Sequence, residues 1–550
     1  MPHVVTQPCC ADASCAFACP VNAIHPTPDE PDFATADMVY IDPKSCVDCG
    51  ACVGACPVGA IKPDAKLAEH ELPFIELNRL FHEDRSTPPI QAPVIPVVAK
   101  REVARPMRVA VVGSGPAGLY AADEILKRPA TEVTVIDRLP TPYGLVRAGV
   151  APDHPETRTI DRLFRMIEAE PGFSYALGVE VGADITHAEL AAGFDAVVYA
   201  VGASSDRSLG IPGEDLPGSV TATDFVAWYN GHPDHVDDVF DLGHERAVIV
   251  GNGNVAVDVA RILTTDPERL AGTDIADHAL DALRRSRVRE VIVLARRGPA
   301  QSAFTLPEIT GLLERDDIDV VVDGDLDVVA GSLMEQQKVE ALRAASSGSA
   351  ARRIVLRYLS APVEMLGKDT VTGVRVARTR LVAEGDAMRA VATDETEDLP
   401  TGLVLRSVGY RGSAVPGLPF DDTRGVIPHD RGRVTGLPGT YVVGWIKRGP
   451  TGFIGTNKTC ATETIDRLFE DANAGVLTRP TARGLPSRAL ETAIDLDGWR
   501  RIDRWERRHG LAAGRVRVRL SDRDQMRRVA AISPVVPGRR RRRRRVILGA

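Results

Sequence analysis

Eight of the nine cysteines fall at positions 9, 10, 15, 19, 46, 49, 52 and 56, and only Cys460 stands apart. Thiolates grouped in this way are ligands for iron-sulfur clusters rather than a disulfide framework. Cys46, Cys49, Cys52 and Cys56, with Pro57 following, form a C-x2-C-x2-C-x3-C-P run. Three closely spaced thiolates wrap one face of an iron-sulfide cube, and the fourth, displaced past a turn, points toward a second cluster. Cys15-x3-Cys19-Pro20 is the matching half, so Cys19 is expected to complete a [4Fe-4S] cluster with Cys46, Cys49 and Cys52. Cys56 then reaches back to the site of Cys15. A full first half would place a cysteine three residues before Cys10, but position 7 is Gln7. The expected ligands there are Cys10, Cys15 and Cys56 on a [3Fe-4S] cluster with Cys9 spare; recruitment of Cys9 would make a second [4Fe-4S]. Two interlocked C-x3-C-P halves argue against a zinc site, which wants four ligands in C-x2-C pairs.

Two glycine fingerprints supply a different chemistry. In RVAVVGSGPAGLYAADEIL, Gly113-x-Gly115-x-x-Gly118 separates an apolar β-branched run from a helical one. Such glycines permit a tight turn and let the backbone approach a pyrophosphate resting on the positive end of the helix. The run VTVID ends in Asp137, 19 residues after Gly118, where a ribose hydroxyl needs an acceptor. This site suits FAD or NAD. A second copy, AVIVGNGNVAVDVAR at 247–261, carries Gly251 and Gly253 with Ala256 in third place. Its partner run, VIVLARRG, ends in Arg296 and Arg297 instead of an acid, and two guanidinium groups suit a 2'-phosphate, so NADP(H) is the expected guest. The wide spacing from Ala256 to Arg296 is read as an insertion, TDPERLAGTDIADHALDALRR.

The elements that hold these groups need room, and 550 residues, 44% hydrophobic and 26% charged, provide several folded units. A single small module and wholesale disorder are both excluded. No apolar run reaches about 18 residues, and MPHVVTQPCC lacks the features of a secretory signal. A cytoplasmic protein with no membrane span is expected. The net charge of -8 conceals an acidic beginning, -6 over residues 1–65, and a basic end, +14 over 499–550, whose GRRRRRRRVILGA is read as a solvated tail. Nucleic acid is not expected as a partner. Residues 66–82 suit a short amphipathic helix, and the five prolines of 86–106 mark a linker. Trp499, Ile502 and Trp505 form a packing stripe on one helix face.

Several longer stretches now resemble a known family: NADPH-dependent ferredoxin reductases of the adrenodoxin-reductase type, in the form with a ferredoxin fused at the N-terminus. They include VVGSGPAG, PTPYGLVRAGVAPDHP (140–155), YAVGASSDR (199–207), IPGEDLPG, VGNGNVAVDVARIL, ARRGP, AFTLPE, LVLRSVGYRG (403–412) and VVGWIKRGPTGFIGTNK (442–458). The resemblance implies an α+β ferredoxin-like head followed by an α/β two-dinucleotide-binding-domain, Rossmann-like flavoprotein reductase. The implied divisions are 1–64 for a bacterial-type ferredoxin domain with two clusters, 65–106 for a helix and linker, and 107–203 for the first part of the FAD domain. The NADP domain then takes 204–394, the second part of the FAD domain 395–470, a helical extension 471–538 and the basic tail 539–550.

It further implies that Gly113, Gly115, Ala117, Gly118, Asp137, Leu145 and Val181 line the FAD, with Trp445, Gly452, Phe453 and Ile454 near its isoalloxazine ring. Asn252, Gly253, Asn254, Val255, Arg296, Arg297 and Glu308 are implied for NADP(H), and His154 and Glu308 for a pair of ionisable groups beside the flavin. The expected activity is ferredoxin–NADP+ reductase, moving electrons between NADP(H), FAD and iron-sulfur clusters and onward to an external ferredoxin or other one-electron acceptor. A rival reading is an electron-supplying subunit resembling the small subunit of glutamate synthase, whose cluster motifs are spaced differently. A disulfide reductase is disfavoured, because no C-x-x-C accompanies the flavin motifs.

Overall fold

The computed structural model describes residues 2–83, 105–328, 331–345, 348, 350–384 and 387–531. The expected proline-rich linker falls almost wholly outside the described residues, as does the arginine tail.

The cysteine-rich beginning is a small unit of two antiparallel strand pairs, His3–Val5 with Ile61–Pro63 and Ile24–His25 with Tyr40–Ile41. Two five-residue helices, Ser14–Ala18 and Ala51–Ala55, carry the cysteine runs. Helix Pro73–Glu83 closes the unit: the Asn78 side chain accepts from the Val5 and Ile41 N–H groups (3.1 and 2.9 Å) and donates to the Val5 carbonyl (2.9 Å). One buried amide therefore satisfies backbone groups of two separate strands, which fixes the helix on the unit.

Two parallel sheets follow. The first runs His429–Asp430, Arg433–Val434, Thr440–Val442, Ala196–Tyr199, Met107–Val112, Thr131–Asp137, Phe173–Leu177, parallel from Thr440–Val442 onward. The second is wholly parallel, in the order Ser219–Thr221, Val404–Arg406, Arg246–Val250, Glu290–Leu294, Arg353–Arg357, Asp319–Asp323. Valine, isoleucine and alanine dominate the central strands because helices cover both faces, and Val109 to Val111 and Ala247 to Ile249 are fully buried. Each sheet presents a fingerprint glycine at its centre. Gly113 and Gly251 both have φ +107°, and a Cβ there would collide with the carbonyl oxygen of Ala200 or of Ser407.

The chain passes between the two sheets twice, and the crossings pair as Ser205–Asp206 with Tyr410–Arg411. This corrects the implied boundary at 394/395: Val404–Arg406 lies in the second sheet, parallel to Val248–Val250, so the return to the first sheet comes after it. A three-stranded antiparallel sheet, Ser360–Gly367, Val371–Glu384 and Ala387–Pro400, precedes that return. The expected insertion is present as helices Pro267–Leu270 and Asp277–Arg284. Trp499 and Ile502 are buried on helix Leu496–Ala512, as the stripe predicted. Among the described residues no helix is long and apolar enough to cross a membrane.

Candidate functional site

The first fingerprint loop ends at helix Pro116–Leu126, whose first-turn N–H groups have no side-chain cap. Helix Asn254–Thr264 begins in the same way after Gly253. Uncapped donors at the positive end of an eleven-residue helix suit a pyrophosphate. Asp137 Oδ2 accepts from the Ser114 N–H (2.8 Å) and hydroxyl (2.6 Å), and Oδ1 accepts from the Leu139 N–H (2.9 Å). The carboxylate thus braces the glycine loop and keeps lone pairs for a ribose. The loop is covered by Tyr143, whose N–H donates to the Ser114 carbonyl (2.9 Å), and by Gly144, which lies against Gly115. Leu145 begins helix Leu145–Ala148 and is partly exposed, whereas Val181 lies in a turn bridged to Ile185.

Trp445 starts helix Trp445–Arg448, donates from Nε1 to the Thr451 carbonyl (3.1 Å) and lies beside Tyr410. Gly444 passes so close to Ala117 that a Cβ there would overlap it, which joins this segment to the fingerprint helix. Gly452 has φ +79°, and a Cβ on it would collide with Thr456. Phe453 and Ile454 offer their carbonyls to Thr456 and Asn457 at the start of helix Thr456–Asn473. Two of the expected flavin segments are thus tied to the first fingerprint, Tyr143–Gly144 at Ser114–Gly115 and Gly444–Trp445 at Ala117.

On the second sheet, the Asn254 side chain accepts from the Thr305 N–H (2.7 Å) and donates to its hydroxyl (3.1 Å), tying the fingerprint helix to helix Leu306–Leu313. Asn252 and Gly253 form the turn, and Asn254 and Val255 open the helix. Arg296 is exposed and Arg297 half-buried, just past the strand that pairs with the fingerprint strand.

His154 and Glu308 come together as expected, with Nε2 and Oε1 3.5 Å apart. The sequence reading missed what lies between them. Arg261, buried on the fingerprint helix, bonds Asp153 (2.7 Å), Asp258 (2.5 Å) and Glu308 (2.5 Å) and also contacts His154. The signal was present: Asp258 and Arg261, three residues apart, interrupt an otherwise apolar helix. Burial and the Arg261 charge depress the His154 pKa, but Glu308 and the Asp258 hydrogen bond prevail and push it up to about 10. Burial raises the Glu308 pKa, yet His154 and Arg261 hold it well below the usual carboxylate range. Burial and then Glu308 keep Asp258 above its ordinary value. Glu308 and Asp258 together favour the protonated imidazole of His154.

Among the cysteines, Cys19, Cys46, Cys49 and Cys52 line one small cavity, with Cys49 exposed at its rim. Cys10 and Cys15 are buried, Cys10 where the cysteine-rich unit meets the start of helix Thr456–Asn473. There the Gly455 N–H donates to the Cys10 carbonyl (2.8 Å), and Lys458 Nζ lies 3.3 Å from Asp12 Oδ2 and 3.1 Å from Ser14 Oγ. Asp37 accepts from the Leu306 N–H (2.8 Å), which ties the same unit to the second sheet's helix. Cys460, on helix Thr456–Asn473, is half-buried, and its Sγ accepts from the Gly444 N–H (3.3 Å). It has no thiol neighbour in a C-x-x-C, as expected.

Comparison with known proteins agrees with this geometry. Residues 107–297 match the family described as pyridine nucleotide-disulphide oxidoreductase, and 39–62 match a 4Fe-4S binding domain. A probable ferredoxin/ferredoxin–NADP reductase of Mycobacterium tuberculosis is 51% identical over 572 residues, covering 98% of this chain and 97% of that one. The human mitochondrial NADPH:adrenodoxin oxidoreductase is 40% identical, covering 77% of this chain and 91% of that one. Among solved structures, Mycobacterium tuberculosis FprA in complex with NADPH superposes with a TM-score of 0.73 at 44% identity, over 78% of this chain and all of that one.

Proposed function

We propose the following division of labour from one premise: this chain belongs to the ferredoxin/ferredoxin–NADP reductase family and is an NADPH-dependent ferredoxin reductase. FAD, NADP and an iron-sulfur cluster are its cofactors. Bound together they supply the exchange between two-electron nicotinamide chemistry and one-electron cluster chemistry.

The chain's own residues bind, orient and insulate. Gly113 to Gly118 and Asp137 hold the FAD, and Gly251 to Val255 with Arg296 and Arg297 hold NADP(H), the arginines recognising the 2'-phosphate. Trp445 and Gly452 to Ile454 shape the space where flavin and nicotinamide meet, which is catalysis by positioning. The buried cluster of His154, Arg261, Asp258 and Glu308 borders that space and fixes a proton on His154. The head is read as a ferredoxin-like domain with a four-iron cluster on Cys19, Cys46, Cys49 and Cys52 and a second cluster on its inner side.

One observation carries this reading. The inner cysteine segment is hydrogen-bonded through Cys10 to Gly455, the residue after the stretch expected at the isoalloxazine ring. We read this contact as docking of the head on the flavin side. Cys49, by contrast, is exposed between Val47 and Val53, 57% and 39% exposed, and we assign this rim to the approach of an external one-electron acceptor. No comparable observation favours the glutamate synthase subunit reading, and the curated relative matched along the whole chain is named as a reductase.

Anaerobic titration of the purified chain with NADPH tests the reading. The flavin absorbance should bleach and the isolated chain should reduce ferricyanide or an added ferredoxin. A flavin indifferent to NADPH overturns it.

A further inference from the structure

The two halves of the head obey one register. Cys9, Cys15 and Cys19 recur 37 residues later as Cys46, Cys52 and Cys56. The backbone repeats with the same offset. Ala11 and Ala13 (φ +52° and +56°) correspond to Asp48 and Gly50 (φ +56° and +73°), all in the left-handed region. Each run ends in an extended cysteine, Cys19 at φ -74°, ψ 118° and Cys56 at φ -75°, ψ 115°. Each of those sulfurs accepts a backbone N–H four residues on, from Ala23 and from Ala60, both at 3.2 Å.

In this register Cys9 stands where Cys46 stands, and Cys10 where the exposed, non-ligating Val47 stands. Asp12 takes the place of Cys49. The first half is thus C-x2-D-x2-C-x3-C-P: the missing cysteine is the one at position 12, replaced by a carboxylate, and not one at position 7 as counting back from Cys10 implied. That carboxylate is buried and already engaged. Oδ1 accepts from the Ser14 N–H (3.0 Å), and Oδ2 faces Lys458 of the reductase (3.3 Å). Nearby, the buried Tyr120 hydroxyl on the FAD-fingerprint helix has no partner among the described residues, although the charges of Asp12 and Cys10 act on it. An orphaned hydroxyl at this junction is what a bound group would satisfy.

We propose that Cys9, Cys15 and Cys56 are the thiolate ligands of the inner cluster, and that Lys458 of the reductase, by engaging Asp12 at the fourth-ligand position, keeps that cluster in the three-iron form. The inference rests on the reading of the head as a cluster-bearing domain, and it moves the expected role of Cys10 to Cys9. A carboxylate paired to an ammonium is a poor donor to a fourth iron, because ligation must first break the pair. Lys458 is accordingly a positioning residue acting through Asp12.

The test is iron content per flavin and oxidised-state EPR of the full-length chain, as purified and after anaerobic dithionite reduction with added ferrous ion, which supply the electron and the metal for a fourth corner. The wild-type chain should hold about seven irons with an oxidised-state signal, [3Fe-4S] plus [4Fe-4S]. Cys9→Ser should lose the signal and about three irons, whereas Cys10→Ser keeps both. Asp12→Cys and Lys458→Met should each rise to about eight irons and lose the signal, while Lys458→Met combined with Asp12→Ala stays at about seven. Loss of the signal in Cys10→Ser but not in Cys9→Ser overturns the ligand assignment. A Lys458→Met chain that stays at about seven irons overturns the role of Lys458, and it remains decisive if Asp12→Cys fails to fold. Absence of the four-iron cluster itself, in wild type, would instead sink the reading of the head.

Discussion

A proton held at His154 is the clearest electrostatic consequence at the scale of single residues. Its folded pKa, about 10, lies above the ordinary value of 6.5. A raised pKa stabilises the fold fully below about pH 6.5, and that contribution is lost as the pH climbs through about 10. The stability difference between wild type and His154→Gln, followed by thermal unfolding of the flavoprotein, should therefore shrink steadily from pH 7 to pH 10. A difference that is flat with pH would remove the imidazolium from the account. Arg296 and Arg297 make a binding contribution instead. A charge-assisted hydrogen bond contributes about 1.5–3 kcal/mol, so replacing both by alanine should raise the KM for NADPH at least tenfold while kcat changes little. An equal KM for NADPH and NADH in wild type would contradict their role.

Secondary-structure elements position these groups by backbone approach. Gly251 has φ +107°, and any Cβ on it would strike the Ser407 carbonyl. The only relief is movement of the strand that precedes the nucleotide-binding helix. Gly251→Ala should therefore lose most NADPH-dependent dye reduction through a raised KM while retaining stoichiometric FAD, because the first fingerprint lies on a separate sheet. Loss of FAD as well would mean that the two sheets fold as one unit. The helix after each fingerprint was legible in advance, since glycine spacing, β-branched strands and helical runs are local signals. The Arg261 network was not read, because its four partners come from three segments, the loop at 153–154, helix Asn254–Thr264 itself and helix Leu306–Leu313, which meet only in the folded chain.

The whole molecule is held together by ions buried between its parts. Glu506, fully buried on helix Leu496–Ala512, bonds Arg147 (2.5 Å) of the first sheet's region and Arg517 (2.6 Å), and accepts from the Leu520 N–H. Asp274, in the turn between the inserted helices, joins Arg158 and Arg519, both at 2.6 Å. The C-terminal segment thereby bonds both nucleotide-binding regions at once. Glu506→Ala leaves the buried Arg147 guanidinium without its carboxylate and Arg517 with Asp503 alone (3.0 Å), and breaking a buried pair costs about 3–5 kcal/mol. Unfolding of the flavoprotein in urea should show that drop; a change under about 1 kcal/mol would place Glu506 outside the clasp. The sequence by itself determined the two nucleotide folds, the cysteine runs and the class of electron carriers, because each is written in spacings of a few residues along one strand–turn–helix. Only the tertiary structure decided that the head docks at Gly455 and Lys458, that the return strand at 404–406 belongs to the second sheet, and that Asp12 faces a reductase lysine. Those contacts join residues far apart in the chain, and no local pattern encodes which distant surface will bury them.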